Sequence, residues 1–218
     1  MKKPIALTVM ASMLAALAAY ADELVVSQVD PVVRTADQTW VGESELLRSS
    51  NRIQVVARTT DLDPGSVVTG WWRIYNRPGK CAVPFACEAS DLANPDVVGS
   101  QLHATGFVVE NADGDALIVA SLYRTAAKAQ GGNSLEQTLD EPFLNGRGLR
   151  RPLHAEVELL LASHGRVADP SYVGSDAALA QLLSPTGTQL ECADPAAVSA
   201  SRTFRCGVLQ KVNHPAIN

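Results

Sequence analysis

The segment His154–Gly165, HAEVELLLASHG, carries the residues best suited to chemistry. In an extended strand, successive side chains point to opposite faces. His154, Glu156, Glu158, Leu160, Ala162 and His164 then share one face, and Ala155, Val157, Leu159 and Leu161 the other. Carboxylates beside imidazoles are ligands for a divalent metal. Same-face neighbours stand ~7 Å apart along a strand, and His154 and His164 stand ~33 Å apart if it is straight. One strand alone therefore makes a loose ion site. The plainer expectation is an exposed polar face backed by a buried one. His164-Gly165 reads as the exit turn of the strand, with the imidazole hydrogen-bonded close by.

A second chemical cluster is WWRIYNRPGKCAVPFAC, from Trp71 to Cys87. Alternation places Val68, Trp72 and Ile74 on a core face, and Trp71, Arg73 and Tyr75 on a more polar one. A zinc knuckle needs a closer cysteine pair and a second ligand pair nearby. A thioredoxin-like site needs C-x-x-C. A sugar-binding platform needs exposed coplanar aromatics, and aromatics are 5% of the chain. A disulfide-stapled loop after a strand fits best. The chain has four cysteines, Cys81, Cys87, Cys192 and Cys206. Three pairings are possible, and the local ones, Cys81 with Cys87 and Cys192 with Cys206, are expected because each closes a short loop.

Other constellations are sparse. Asn111–Asp115 (NADGD) and Asp61–Gly65 (DLDPG) hold part of a calcium-ligand set, but both are explained as turns. No G-x-S-x-G elbow or Gly-rich phosphate loop is present. The four histidines are His103, His154, His164 and His214. Trp71, His103, Glu156, Glu158 and His164 are the candidate ligand contacts. No catalytic, metal or cofactor site is assigned.

The N-terminus, MKKPIALTVMASMLAALAAYADEL, has a basic start, an uncharged apolar run and Ala19-Tyr20-Ala21. This predicts a secretory signal over residues 1–21, and a single mature domain over residues 22–218. An even cysteine count suits the oxidising periplasm or extracellular space. No later run reaches membrane length, so no membrane span is expected in the mature chain. With 23 acidic against 18 basic residues and a net charge of −5, nucleic-acid binding is not expected. Partners are otherwise unspecified.

The elements that would position these residues are mostly strands. Period-two alternation between turn signals marks Leu24–Val29, Ile53–Thr59, Ser66–Asn76, Leu102–Glu110, Ala116–Tyr123, His154–Ser163, Gln189–Cys192 and Thr203–Leu209. Leu102–Glu110 and Ala116–Tyr123 read as a hairpin about Asn111–Asp115. Ser175–Leu183 and Glu43–Arg48 read as two short helices. The segment Arg124–Pro152 shows no clear strand. The predicted fold is all-β, a single antiparallel β-sandwich of about eight strands with one or two short helices.

WWRIYNRPGKC, a second cysteine and DLANPDV resemble a family of uncharacterised exported bacterial proteins. Its pattern is W-W-x-x-x-N-x-P-x-x-C, then D-L-x-N-P-x-V. LHATGFVVENADGDA is similar to the family's A-T-G-x-V-V…D-G segment, and AEVELLLASHG to its A-E-x-x-L-x-x-x-S-H-G strand. The resemblance spans roughly residues 68–166, with weaker agreement out to Cys206. A fainter likeness, to chordin-type secreted β-sandwich domains, lies in the A-T-G…D-G and His-Gly features. The resemblance implies export and assigns no activity. The expected function is a non-catalytic exported binding or structural module. The alternative is a secreted hydrolase or metal-dependent enzyme with a site near His103 and His164.

Overall fold

The computed structural model describes residues 25–124, 148–166 and 207–217. These residues form eight strands: β1 Val26–Arg34, β2 Trp40–Arg48, β3 Arg52–Thr59, β4 Ser66–Tyr75, β5 Gly99–Val108, β6 Ala116–Tyr123, β7 Glu156–Arg166 and β8 Gly207–His214. Two short 3₁₀ turns, Pro78–Lys80 and Ala89–Ala93, are the only helical elements among them. The strands form one antiparallel sheet in the order β5-β4-β7-β8-β1-β2-β3-β6. The all-β antiparallel expectation holds, with the opposing layers being two halves of one continuous sheet. Its end strands, β5 and β6, approach each other, so the sheet is nearly closed. An eight-stranded sheet rolled this way encloses a space that side chains fill.

Alternation explains the filling. β3 turns Ile53, Val55 and Ala57 inward, β6 Ile118, Ala120 and Leu122, and β7 Val157, Leu159 and Leu161. β4 adds Val68, Trp72 and Ile74. Trp72 is fully buried, as its face predicts.

Several expectations are corrected. Glu43–Arg48 is not a helix but part of β2, laddered to β1 and β3 on its two sides. The run ESELLR favours helix locally, and pairing on both sides overrides that weak preference. β5 and β6 are not a hairpin: β5 pairs with β4 and β6 with β3. The connection folds instead onto the turn after β3, where the Leu62 amide donates to the Gly114 carbonyl (3.1 Å). Gly114 has φ +76°, and a Cβ there would lie 2.2 Å from the Leu62 carbonyl oxygen, so only glycine fits. The first strand lies later than Leu24–Val29, and His164 sits inside β7, which continues through Gly165 to Arg166. Ser175–Leu183, Gln189–Cys192 and the Cys192–Cys206 pair lie outside the described residues. The 81–87 bridge is present, with Cα atoms 5.3 Å apart. The end of the Arg124–Pro152 segment is fixed: Asn76 accepts from the Arg150 amide (2.7 Å) and donates to the Gly148 carbonyl (2.8 Å).

Candidate functional site

The five sequence candidates lie on the outer face of β5, β4 and β7 but fall into two groups, Trp71 with His103 and His164 in one, and Glu156 with Glu158 in the other. Cross-strand register puts Trp71 opposite both His103 and Leu160, and Arg73 opposite both Gln101 and Glu158. The Trp71 and His103 rings meet edge to face, with centroids 5.4 Å apart. Trp71 Nε1 donates to Thr69 Oγ1 (2.8 Å), and Thr69 Oγ1 is 2.8 Å from His164 Nε2. Glu158 pairs with Arg73 at 3.0 Å and has Lys211 at 3.8 Å.

This face is covered rather than open, which corrects the expected polar exposure. Tyr75, Cys81 and Val97 form a cluster joined by Cys87 and Leu92, so the stapled loop lies over the strand. Glu156 is fully buried, and its Oε1 accepts from the Cys87 amide (3.0 Å) and from Asn213 Nδ2 (3.1 Å). Burial pushes the Glu156 carboxyl above the usual carboxylate range, and those two donors oppose the shift. Burial also raises the Tyr75 hydroxyl well above its ordinary value. Trp71, His103 and Glu158 are buried as well. Of these, Glu156 bonds to the stapled loop, while Trp71 and Glu158 bond within the sheet, to Thr69 and to Arg73.

Metal chemistry finds little support there. Among the described residues, the one group of three close metal-type ligands is Cys81, Cys87 and Asp91. Both sulfurs are in the disulfide, so neither offers a thiolate. The Asp91 oxygens accept from the Ala82 and Glu88 amides, both at 2.8 Å. The two turns considered for calcium touch at Leu62 and Gly114, but Asp61 is committed to Arg34 at 2.8 Å.

Sequence reasoning missed a second constellation, inside the barrel. His214 Nδ1 lies 2.8 Å from Asp30 Oδ2, and His214 Nε2 lies 2.9 Å from Ser44 Oγ. Register explains the convergence: Asp30 faces Ser44 across β1 and β2, and β8 brings His214 alongside. Burial holds His214 below its ordinary value, so the ring is neutral near pH 7. A carboxylate can only accept. Nδ1–H therefore donates to Asp30, leaving Nε2 to accept the Ser44 hydroxyl. That is the connectivity of a serine-hydrolase triad. Yet Ser44 and His214 are both fully buried, so no acyl carbon reaches Oγ in this conformation. Nearby, Arg48 is also fully buried and donates to the carbonyls of Ala155 (2.7 Å), Pro152 (3.0 Å) and Pro215 (3.1 Å). Burial lowers its guanidinium to about 10.

An open groove lies elsewhere among the described residues. It has a volume of about 600 Å³ and runs between the start of β2, the end of β3 and the start of β6. Trp40 lies along it and is 68% exposed. Its Nε1 donates to the Gly42 carbonyl, which fixes the indole against its own strand. Glu43, Arg58 and Leu117 form one cross-strand row on the outer face, and Asn111 and Asp115 close one side. Gly42 is required where β2 meets β3, since a Cβ would lie 2.1 Å from the Arg58 carbonyl oxygen. Trp40 escaped sequence reasoning because nothing local separates an exposed tryptophan from a core one. No protein-family model matches the chain, and no curated protein matches it.

Proposed function

We propose that the protein is an exported, non-catalytic binding module of the periplasm or extracellular space, and that it works through the groove beside Trp40. The observation that carries this reading is the 68% exposure of Trp40 in a groove of about 600 Å³. Binding clefts for small molecules are of this size and combine an apolar surface with a few placed polar groups. The signal-like N-terminus and the Cys81–Cys87 bridge support export. The test passes purified protein over immobilised cell-envelope fractions. Wild-type protein is retained by at least one fraction, and Trp40→Ala is not. Equal behaviour of the two proteins removes the groove as the working surface.

The Ser44–His214–Asp30 geometry favours a second reading, hydrolysis through a serine made accessible by opening of the barrel. A fluorophosphonate probe added to native protein distinguishes the two. Labelling that disappears in Ser44→Ala selects the hydrolase, and no labelling leaves the binding module.

A further inference from the structure

The chemistry of the groove specifies a class of ligand. Trp40 offers a flat apolar surface whose polar edge is already committed to Gly42. Three charged side chains stand at the groove: Glu43, Arg58 and Asp115, all exposed. Neither the Glu43 nor the Arg58 side chain has a hydrogen bond or ion pair among the described residues, although they face each other across β2 and β3. Asn111 uses its Oδ1 to accept the Asp113 amide (2.8 Å), leaving its Nδ2 free to donate. The site therefore combines one aromatic plane with two carboxylate acceptors and two kinds of N–H donor.

Each simple ligand type meets an obstacle. An anion faces two carboxylates. A cation gains the indole face and the carboxylates but faces the Arg58 guanidinium. An apolar occupant would take three charges out of water without replacing their hydrogen bonds. A neutral polyol ring suits all of these groups at once. Its C–H face lies on the indole, and its equatorial hydroxyls both donate to carboxylates and accept from Arg58 and Asn111.

Resting on the binding-module reading above, we infer that the Trp40 groove binds a neutral pyranose sugar, stacked on the indole and hydrogen-bonded by Glu43, Arg58 and Asp115. The sugar platform that the Trp71 strand fails to supply is supplied by β2.

Saturation-transfer NMR on the full mature chain tests this with glucose, galactose, mannose and N-acetylglucosamine, each at millimolar concentration. At least one sugar receives saturation on its ring C–H protons, and that signal is lost in Trp40→Ala. Glu43→Gln and Arg58→Gln each weaken binding about tenfold, while Trp40→Phe keeps part of it. Because Trp40 is exposed, the thermal melting of Trp40→Ala stays near wild type, so lost binding is not unfolding. If none of the four sugars receives saturation while envelope retention still depends on Trp40, the ligand class is wrong and the binding module survives. If retention is independent of Trp40 as well, both readings fall.

Discussion

At the scale of single residues, the two adjacent tryptophans show what alternation can and cannot reveal. Trp72 is fully buried and Trp71 is 5% exposed, so both rings are enclosed. From the sequence alone, Trp71→Ala should cost much less than Trp72→Ala. With Trp71 packed on Leu160, bonded to Thr69 and edge-on to His103, the expectation changes. Each truncation costs about 3–5 kcal/mol, as for large aromatics in cores. Urea unfolding of the two variants checks this, and a Trp71→Ala cost under about 1 kcal/mol would mean that its cover is loose. The period of two was legible in the sequence, and so was the face of Trp72. The lid over the other face was not, because the Cys81–Cys87 loop folds back by tertiary contact.

His214 carries a pH prediction at the same scale. Its folded value lies below its ordinary one, chiefly through burial, with Arg48 adding to the shift and Asp30 opposing it. The unfolded chain then binds the proton more readily than the folded one. The contribution to stability is complete above the ordinary histidine value of about 6.5 and is lost as the pH falls below it. Wild-type protein should lose urea resistance between about pH 7.5 and 5.5 more steeply than His214→Gln, which cannot titrate. Parallel pH profiles for the two proteins would show that this ring is not a source of the acid sensitivity. The Ser44–His214–Asp30 set itself was invisible in the sequence, since Ser44 and His214 are 170 residues apart.

At the scale of elements, β2 is where local and global preferences part. Its residues ESELLR suit a helix, yet Leu46 and Ser44 point into the barrel and Glu43 points out, as pairing on both sides demands. The strand also carries the candidate site, because Trp40 opens it and Gly42 sets its approach to β3. Reading Glu43–Arg48 as helix hid the strand that carries both. Gly42→Ala should cost about 1–3 kcal/mol, since the added carbon meets rigid backbone at Arg58 and Thr59. The same variant should weaken any ligand held by Trp40, because the Gly42 carbonyl anchors the indole. A melting temperature matching wild type would show that β2 and β3 can separate slightly at little cost. By contrast the inward face of β4 and β7 was legible, through Val68, Trp72 and Ile74 and through Val157, Leu159 and Leu161, whereas the burial of their outer face and the continuation of β7 past Ser163 were not.

At the scale of the whole molecule, the near-closure of the sheet leaves one seam, between β5 and β6. The sequence suggested these strands as hairpin partners from the turn residues between them. Those residues instead fold against Leu62, and among the described residues each strand keeps one edge without a ladder. Every other strand is laddered on both sides, although β1 and β8 share only two register pairs, Val33 with Lys211 and Arg34 with Gln210. Strand edges without partners exchange their amide hydrogens through small local openings, whereas doubly laddered and doubly covered strands need larger ones. Amides in β4 and β7 should therefore be the slowest to exchange. The seam-facing amides of β5 and β6 should be the fastest within the sheet, by at least about tenfold. β6 sharpens the contrast, because Leu117, Val119 and Tyr123 stand exposed on its outer side and nothing among the described residues covers them. Hydrogen exchange read by mass spectrometry on peptides from each strand decides the matter. If β5 and β6 were protected as strongly as β4, a ladder would bridge them in solution, and the barrel would be fully closed.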